Sequence, residues 1–262
     1  MWLTKSSVGR KVVMSLTGLF LILFLTFHVL MNAVALVSMD AYEAICHFLG
    51  ANWYALAGTA VIAAGVVLHI VYALWLTIQN RKARGNDRYA VNSRPKSVEW
   101  ASQNMLVLGF AVLVFMLMHL VQFWAEMQLP EIQERYLGDY SVEVLGGKEA
   151  IFAAFSCVWT LPIYLAGFAA LWFHLTHGVW SALHTMGWNN NTWMPRVKCI
   201  SNIVATLVVL MFAAVVVFYF AANLCCPPEC CAEHAHTCVE AVAPVVADTV
   251  QAVIDTVAVV VE

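Results

Sequence analysis

Charge is what this chain has least of: Asp, Glu, Lys and Arg together make up 11% of its residues, against about a quarter in soluble domains. That scarcity excludes a water-soluble globule, and the 62% hydrophobic content with mean hydropathy +0.78 excludes a solvated disordered chain. The net charge of −3 and the lack of a basic arm or a phosphate-cradling glycine loop give no footing for nucleic acid or nucleotide. No carboxylate lies well inside the long apolar runs 12–37, 53–78, 100–124 and 151–185, so a buried Asp/Glu proton relay is not expected. A small-residue cleavage site is also missing after the first run, which is longer than the apolar region of a secretory signal; it reads as a span.

What is present is apolar sequence in blocks. A membrane crossing takes about 20 residues at a rise of about 1.5 Å each. Five blocks meet that length: 12–37, 53–78, 100–124, 151–185 and 200–224. The fourth would be about 50 Å long as one helix and carries Pro162, which predicts tilt, a kink or protrusion. The expected fold is an all-α integral membrane protein with five transmembrane helices, the first four forming a cofactor-binding bundle. Its domains are a membrane domain, 1–224, and an outer-side tail, 225–262.

Basic residues set the orientation. Lys5, Arg10 and Lys11 precede the first block, and Arg81, Lys82, Arg84, Arg88, Arg94 and Lys96 separate the second from the third. Arg196 and Lys198 separate the fourth from the fifth, whereas Arg135 and Lys148 alone fall on the other side. The positive-inside rule then predicts a cytoplasmic N-terminus and an outer C-terminus. Acids agree, with Asp87 and Glu99 the ones on the inner side. The acidic outer loop, 125–150, is expected to hold a short surface helix near 130–136.

Histidine carries the chemistry. An ionisable group in a membrane is costly and marks function by default. His28 lies about 24 Å up the first, outward-running block, and His119 about 28 Å up the third. His69 and His174 sit about 14 and 17 Å from the inner ends of the inward-running second and fourth. Depth therefore sorts them into an outer pair, His28/His119, and an inner pair, His69/His174. A lone membrane histidine often does no more than bond a neighbouring helix; four on four helices in two matched layers call for another explanation. Two bis-histidine haems supply it, because haem iron takes one neutral imidazole on each face and helix-bundle cores hold such groups. His177 shares a face with His174 and is its rival as ligand, or a partner for a haem propionate; His184 is expected at the interface. Gly18, Gly58, Gly65, Gly109, Gly167 and Gly178 allow close approach, and Phe24, Phe27, Phe115, Trp172 and Phe173 are candidates to line a macrocycle.

These residues resemble a known family. Ser6-Ser7-Val8-Gly9-Arg10-Lys11 leads into Ser15-Leu16-Thr17-Gly18 and then His28-Val29-Leu30-Met31-Asn32. His69, His119, the run Phe173-His174-Leu175-Thr176-His177-Gly178-Val179-Trp180 and Gly187-Trp188 continue the pattern over about residues 5–223. The chain is similar to the cytochrome b subunit of succinate dehydrogenase and fumarate reductase in its single-chain, five-helix, dihaem form.

The resemblance implies a membrane anchor holding two haems b between an iron–sulfur subunit and a membrane quinone. A flavoprotein subunit carrying FAD would perform the dicarboxylate chemistry, with both partners docked on the cytoplasmic face near the basic 81–96 segment. Glu43 resembles the position of an acid that some members use at the quinone; His47 is a weaker candidate. Menaquinone is compatible with the dihaem form, although no residue here reads the headgroup. Alternatives are a dihaem cytochrome b of a formate dehydrogenase or hydrogenase, and a haem-free transporter or anchor.

The tail departs from the family. Five cysteines, Cys225, Cys226, Cys230, Cys231 and Cys238, lie with His234 and His236 and could bind a soft metal or form disulfides on an oxidising outer face; the spacing fits no standard zinc module, and a poorly ordered appendage is expected. Cys46, Cys157 and Cys199 read as small apolar fillers.

Overall fold

The computed structural model describes residues 6–84 and 99–225, and among them it is helical without a strand. Lys5, the basic residues Arg88, Arg94 and Lys96, and the tail from Cys226 onward, with His234, His236 and Cys238, lie outside the described residues.

Helix α1, Ser7–Ala33, begins where the Ser6 hydroxyl accepts the Gly9 N–H at 2.9 Å, a serine N-cap that satisfies one of the orphan donors of the first turn. It tightens into a 3-10 turn, Val34–Leu36, and Ser38 caps the short α2, Met39–Phe48. Helix α3 runs Trp53–Arg84, and α4 runs Trp100–His119 and then widens into a π-turn, Leu120–Trp124. The short α5, Gln128–Ile132, continues as a second π-turn, Gln133–Leu137, and stops at Gly138, whose φ of 70° is left-handed. This matches the surface helix expected near 130–136.

The long fourth apolar block does not form one helix. It divides into α6, Gly147–Ala154, and α7, Thr160–Thr185. Two features fix where the two helices begin. Glu43 of α2 accepts the Gly147 and Lys148 N–H groups at 3.1 and 2.7 Å, which fixes where α6 starts. Pro162 lies in the first turn of α7, where its missing N–H breaks no helical hydrogen bond. Helix α7 ends at Gly187, with φ 100° and the Trp188 N–H returned to the Leu183 carbonyl at 3.1 Å. Asn190 then accepts the Thr192 and Trp193 N–H groups at the start of α8, Trp193–Cys225.

Four stretches are long and apolar enough to cross a membrane: Ser7–Leu36, Trp53–Ala83, Trp100–Trp124 and Trp193–Cys225. Helix α7 has the length, 26 residues or about 39 Å. Its apolarity falls below the other four because Tyr164, Trp172, His174, His177, Trp180 and His184 interrupt it. The fold is consistent with a multi-pass membrane protein.

Helix α7 is the hub, packed on α8, α4 and α1, while α1 also packs on α3 and α8. Gly167 of α7 admits the Phe115 ring of α4, and Gly65 of α3 admits Phe20 of α1. No extended packing joins α3 to α4, nor the diagonal pairs α1/α4 and α3/α7. The core at the α6 end gathers Ile151, Phe155, Tyr164, Phe168, Val215 and Tyr219, with the Tyr219 hydroxyl donating to the Ala35 carbonyl at 2.6 Å. Outward faces carry Leu23, Val61, Val107, Phe110 and Leu207, all exposed. Exposed tryptophans stand at helix ends, Trp53, Trp100, Trp124, Trp159, Trp188 and Trp193, in the manner of interfacial belts.

Candidate functional site

The two open diagonals of the bundle are spanned by histidines. From α1 and α4, His28 and His119 approach with ring centroids 5.8 Å apart and planes at 82°. From α3 and α7, His69 and His174 approach at 6.4 Å and 68°. His28 and His119 come from the late turns of α1 and α4, His69 and His174 from the interiors of α3 and α7, so the pairs occupy two levels.

The surroundings are aromatic and close. Phe24 stacks on His28 at 5.5 Å, and Phe212 of α8 reaches the same ring at 5.6 Å. His119 is bracketed by Phe123 at 5.0 Å and by Phe115 and Tyr164, each at 6.3 Å. At the His69/His174 pair the wall is backbone instead. Gly18 lies against His69, where an added Cβ would stand 3.3 Å from Cε1, and Gly109 lies against His174 at 3.6 Å. A wholly apolar cleft of about 530 Å³ opens between α1 and α3 beside Phe24, walled by Phe20, Phe27, Gly58 and Val61.

Hydrogen bonds to the ring nitrogens are uneven. His69 Nδ1 is 3.2 Å from the Thr17 hydroxyl, and His119 Nδ1 is 3.3 Å from the Tyr164 hydroxyl. His28 Nδ1 faces the Asn32 amide nitrogen at 3.4 Å, while His174 Nδ1 is buried with no hydrogen-bond partner.

The donor sets fit haem iron better than a bare ion. Each is a pair of imidazoles, and among the described residues no group of three or more His, Cys, Asp or Glu could hold a metal. A lone divalent ion such as zinc wants four ligands, whereas iron in a porphyrin needs two axial ones. Two metal–nitrogen bonds of about 2 Å, with about 1 Å more from each nitrogen to its ring centre, put the centroids about 6 Å apart. Both pairs are at that separation.

His177 belongs to a different group. Its Nδ1 lies 3.8 Å from Glu99, which accepts Lys198 Nζ at 2.7 Å and the Trp180 indole N–H at 3.2 Å, while Lys198 also sits over the Trp180 ring at 4.4 Å. This knot joins the start of α4 to α7 and α8, and His177 is no member of the His69/His174 pair. His184 is exposed beside Trp180, and His47 is exposed on α2.

Glu43 is occupied structurally, both carboxylate oxygens accepting backbone N–H groups of α6. Next to it, Cys46 and Tyr42 press on Gly147, and burial pushes the Cys46 thiol up to about 11.

Sequence reading did not reach Thr17, Tyr164, Gln122 or Phe212. Thr17 lies beside Gly18 in the run Ser15-Leu16-Thr17-Gly18; the others carry no signal apart from contacts that only folding creates. Glu99 was recognisable as one of two inner-side acids. Comparison of the chain with protein-family models, with curated proteins and with solved structures gives no match.

Proposed function

We propose that this chain is the membrane-anchor cytochrome b subunit of a succinate:quinone oxidoreductase. It crosses a bacterial cytoplasmic membrane five times, with α7 as the additional span, and holds two haems b. His28 and His119 would hold the outer haem, and His69 and His174 the inner. The observation that carries the reading is the pairing itself. Two sets of imidazoles on two diagonals, at two levels, stand at the separation an iron between them requires.

Haem bound at these positions supplies one-electron redox chemistry. The chain's own residues bind and shield. Four helices present one imidazole each, and the Phe24, Phe115, Phe123 and Phe212 rings exclude water from the outer pair. Gly18 and Gly109 give the inner imidazoles flat backbone walls. The bundle thus serves as an insulated link between an iron–sulfur partner on the cytoplasmic face, alongside its flavoprotein, and a quinone in the membrane, menaquinone being compatible with the dihaem form. Dicarboxylate chemistry belongs to the flavoprotein.

A reduced-minus-oxidised spectrum with pyridine haemochrome quantitation on the purified chain tests this. Two b haems per chain are expected in the wild type and one in each of His28→Ala and His69→Ala. A wild-type protein free of haem, after haem-replete expression with its partner subunits, would overturn the reading in favour of a haem-free membrane role.

A further inference from the structure

In each histidine pair, one ring is tethered through Nδ1 to a hydroxyl and the other is not. Resting on the dihaem reading, we propose that Thr17 and Tyr164 are positioning residues that fix the tautomer of His69 and His119 and raise their basicity toward iron.

The argument follows the hydroxyl protons. Thr17 Oγ1 lies 3.0 Å from both the Val13 and Met14 carbonyls, which only accept, so its hydrogen is committed to the helix backbone. Toward His69 its oxygen can only accept, so Nδ1 must carry the proton and Nε2 is left with the bare lone pair that a metal needs. Tyr164 repeats the logic with different parts. Its hydroxyl donates to Gln122 Oε1 at 2.8 Å, so it accepts from His119 Nδ1. The tyrosine is buried and wedged against Phe115, Phe155 and Phe168, and Gln122 is delivered by the π-turn that follows His119. Single π-turns of this kind recur at functional positions.

The opposite rings lack such an acceptor. His174 Nδ1 has no hydrogen-bond partner, and His28 Nδ1 meets the amide nitrogen of Asn32, which donates and is already bonded to the His28 carbonyl at 2.8 Å. Each pair therefore has one electron-enriched imidazole, on α3 for the inner pair and on α4 for the outer. An Nδ1–H held by an acceptor makes the ligand more basic, which favours ferric over ferrous iron and lowers the midpoint potential.

Redox titration of the purified full chain, followed in the haem α-band, tests the proposal. Thr17→Val is expected to raise one midpoint and Tyr164→Phe the other, each leaving its neighbour unmoved. The expected change is roughly threefold to tenfold in ferric:ferrous ratio at fixed potential, or about 30–60 mV for one electron. Gln122→Glu, a stronger acceptor for the tyrosine proton, should move the Tyr164-linked midpoint in the opposite direction. The single-haem His28→Ala and His69→Ala proteins assign the midpoints, and Thr17→Ser, which restores the hydroxyl, should return the wild-type value. Should both midpoints stay fixed in Thr17→Val and Tyr164→Phe, or shift together, or should Thr17→Ser behave like Thr17→Val, the proposal fails while the dihaem reading stands. Absence of haem from the wild type would instead remove the reading beneath it.

Discussion

At the scale of single residues, small groups matter here because rings stand against them. Gly18 faces His69 so closely that a methyl group would sit 3.3 Å from Cε1, tighter than side chains ordinarily approach. Gly18→Ala is therefore expected to push the His69 ring by a few tenths of an ångström. On the proposed function it weakens or removes the inner haem and spares the outer, a selective loss that pyridine haemochrome quantitation would register. An unchanged haem count with unchanged inner-haem midpoint would show that the ring has room to give. Legibility differed sharply between such residues. Counting depth along apolar blocks places together the same rings that touch in the fold, because helix rise is regular and the blocks are long. Thr17 and Tyr164 escaped that count, since a hydroxyl inside a helix looks the same in sequence whether it bonds its own backbone alone or a histidine as well.

Elements show where hydropathy fails. The fourth apolar block reads as one helix, yet it is two, because residues 155–159 are nearly as apolar as their flanks. What fixes the start of α6 is a carboxylate more than 100 positions away in the chain, Glu43, and no local pattern announces it. The knot at the start of α4 is likewise non-local. Burial pushes the Glu99 carboxyl up, but the hydrogen bond and charge of Lys198, then His177 and the Trp180 N–H, outweigh it and hold Glu99 below its ordinary 4.5. A carboxyl lowered by folding adds stability that is present above its unfolded value and lost as pH falls through the folded one. With Glu99 and Lys198 about 40% exposed, solvent screening limits that contribution to about 0.2–1 kcal/mol. The thermal midpoint of detergent-solubilised wild type should exceed that of Glu99→Gln at pH 7, and the difference should close as pH falls below about 4.5. A gap independent of pH would mean that the carboxylate charge is not what joins α4 to α8.

For the whole molecule, orientation is the property most open to a direct check. The proposed five spans put the α6–α7 connection outside and the α7–α8 connection inside. With every other cysteine replaced by serine, Cys157, exposed in the former, should react with a membrane-impermeant maleimide in intact cells. Asn190→Cys, in the latter and with Cys157 replaced as well, should react only after permeabilisation. Labelling of both from outside would mean that α7 does not cross, an outcome its interrupted apolarity makes worth excluding. Core and surface are also related differently than in water. Lipid-facing leucines and valines gain little from burial, so helix contacts rest on close fit, as at Gly167 against Phe115. The unpacked seam between α3 and α4 has a further consequence for the order of assembly. On the proposed function, because α7 already unites α1, α4 and α8, the helices would find one another first and a flat guest would enter sideways from the bilayer afterwards. Folding and loading would then be separate events in time, and a chain made ahead of its cofactor supply would be a waiting vessel rather than a misfolded one.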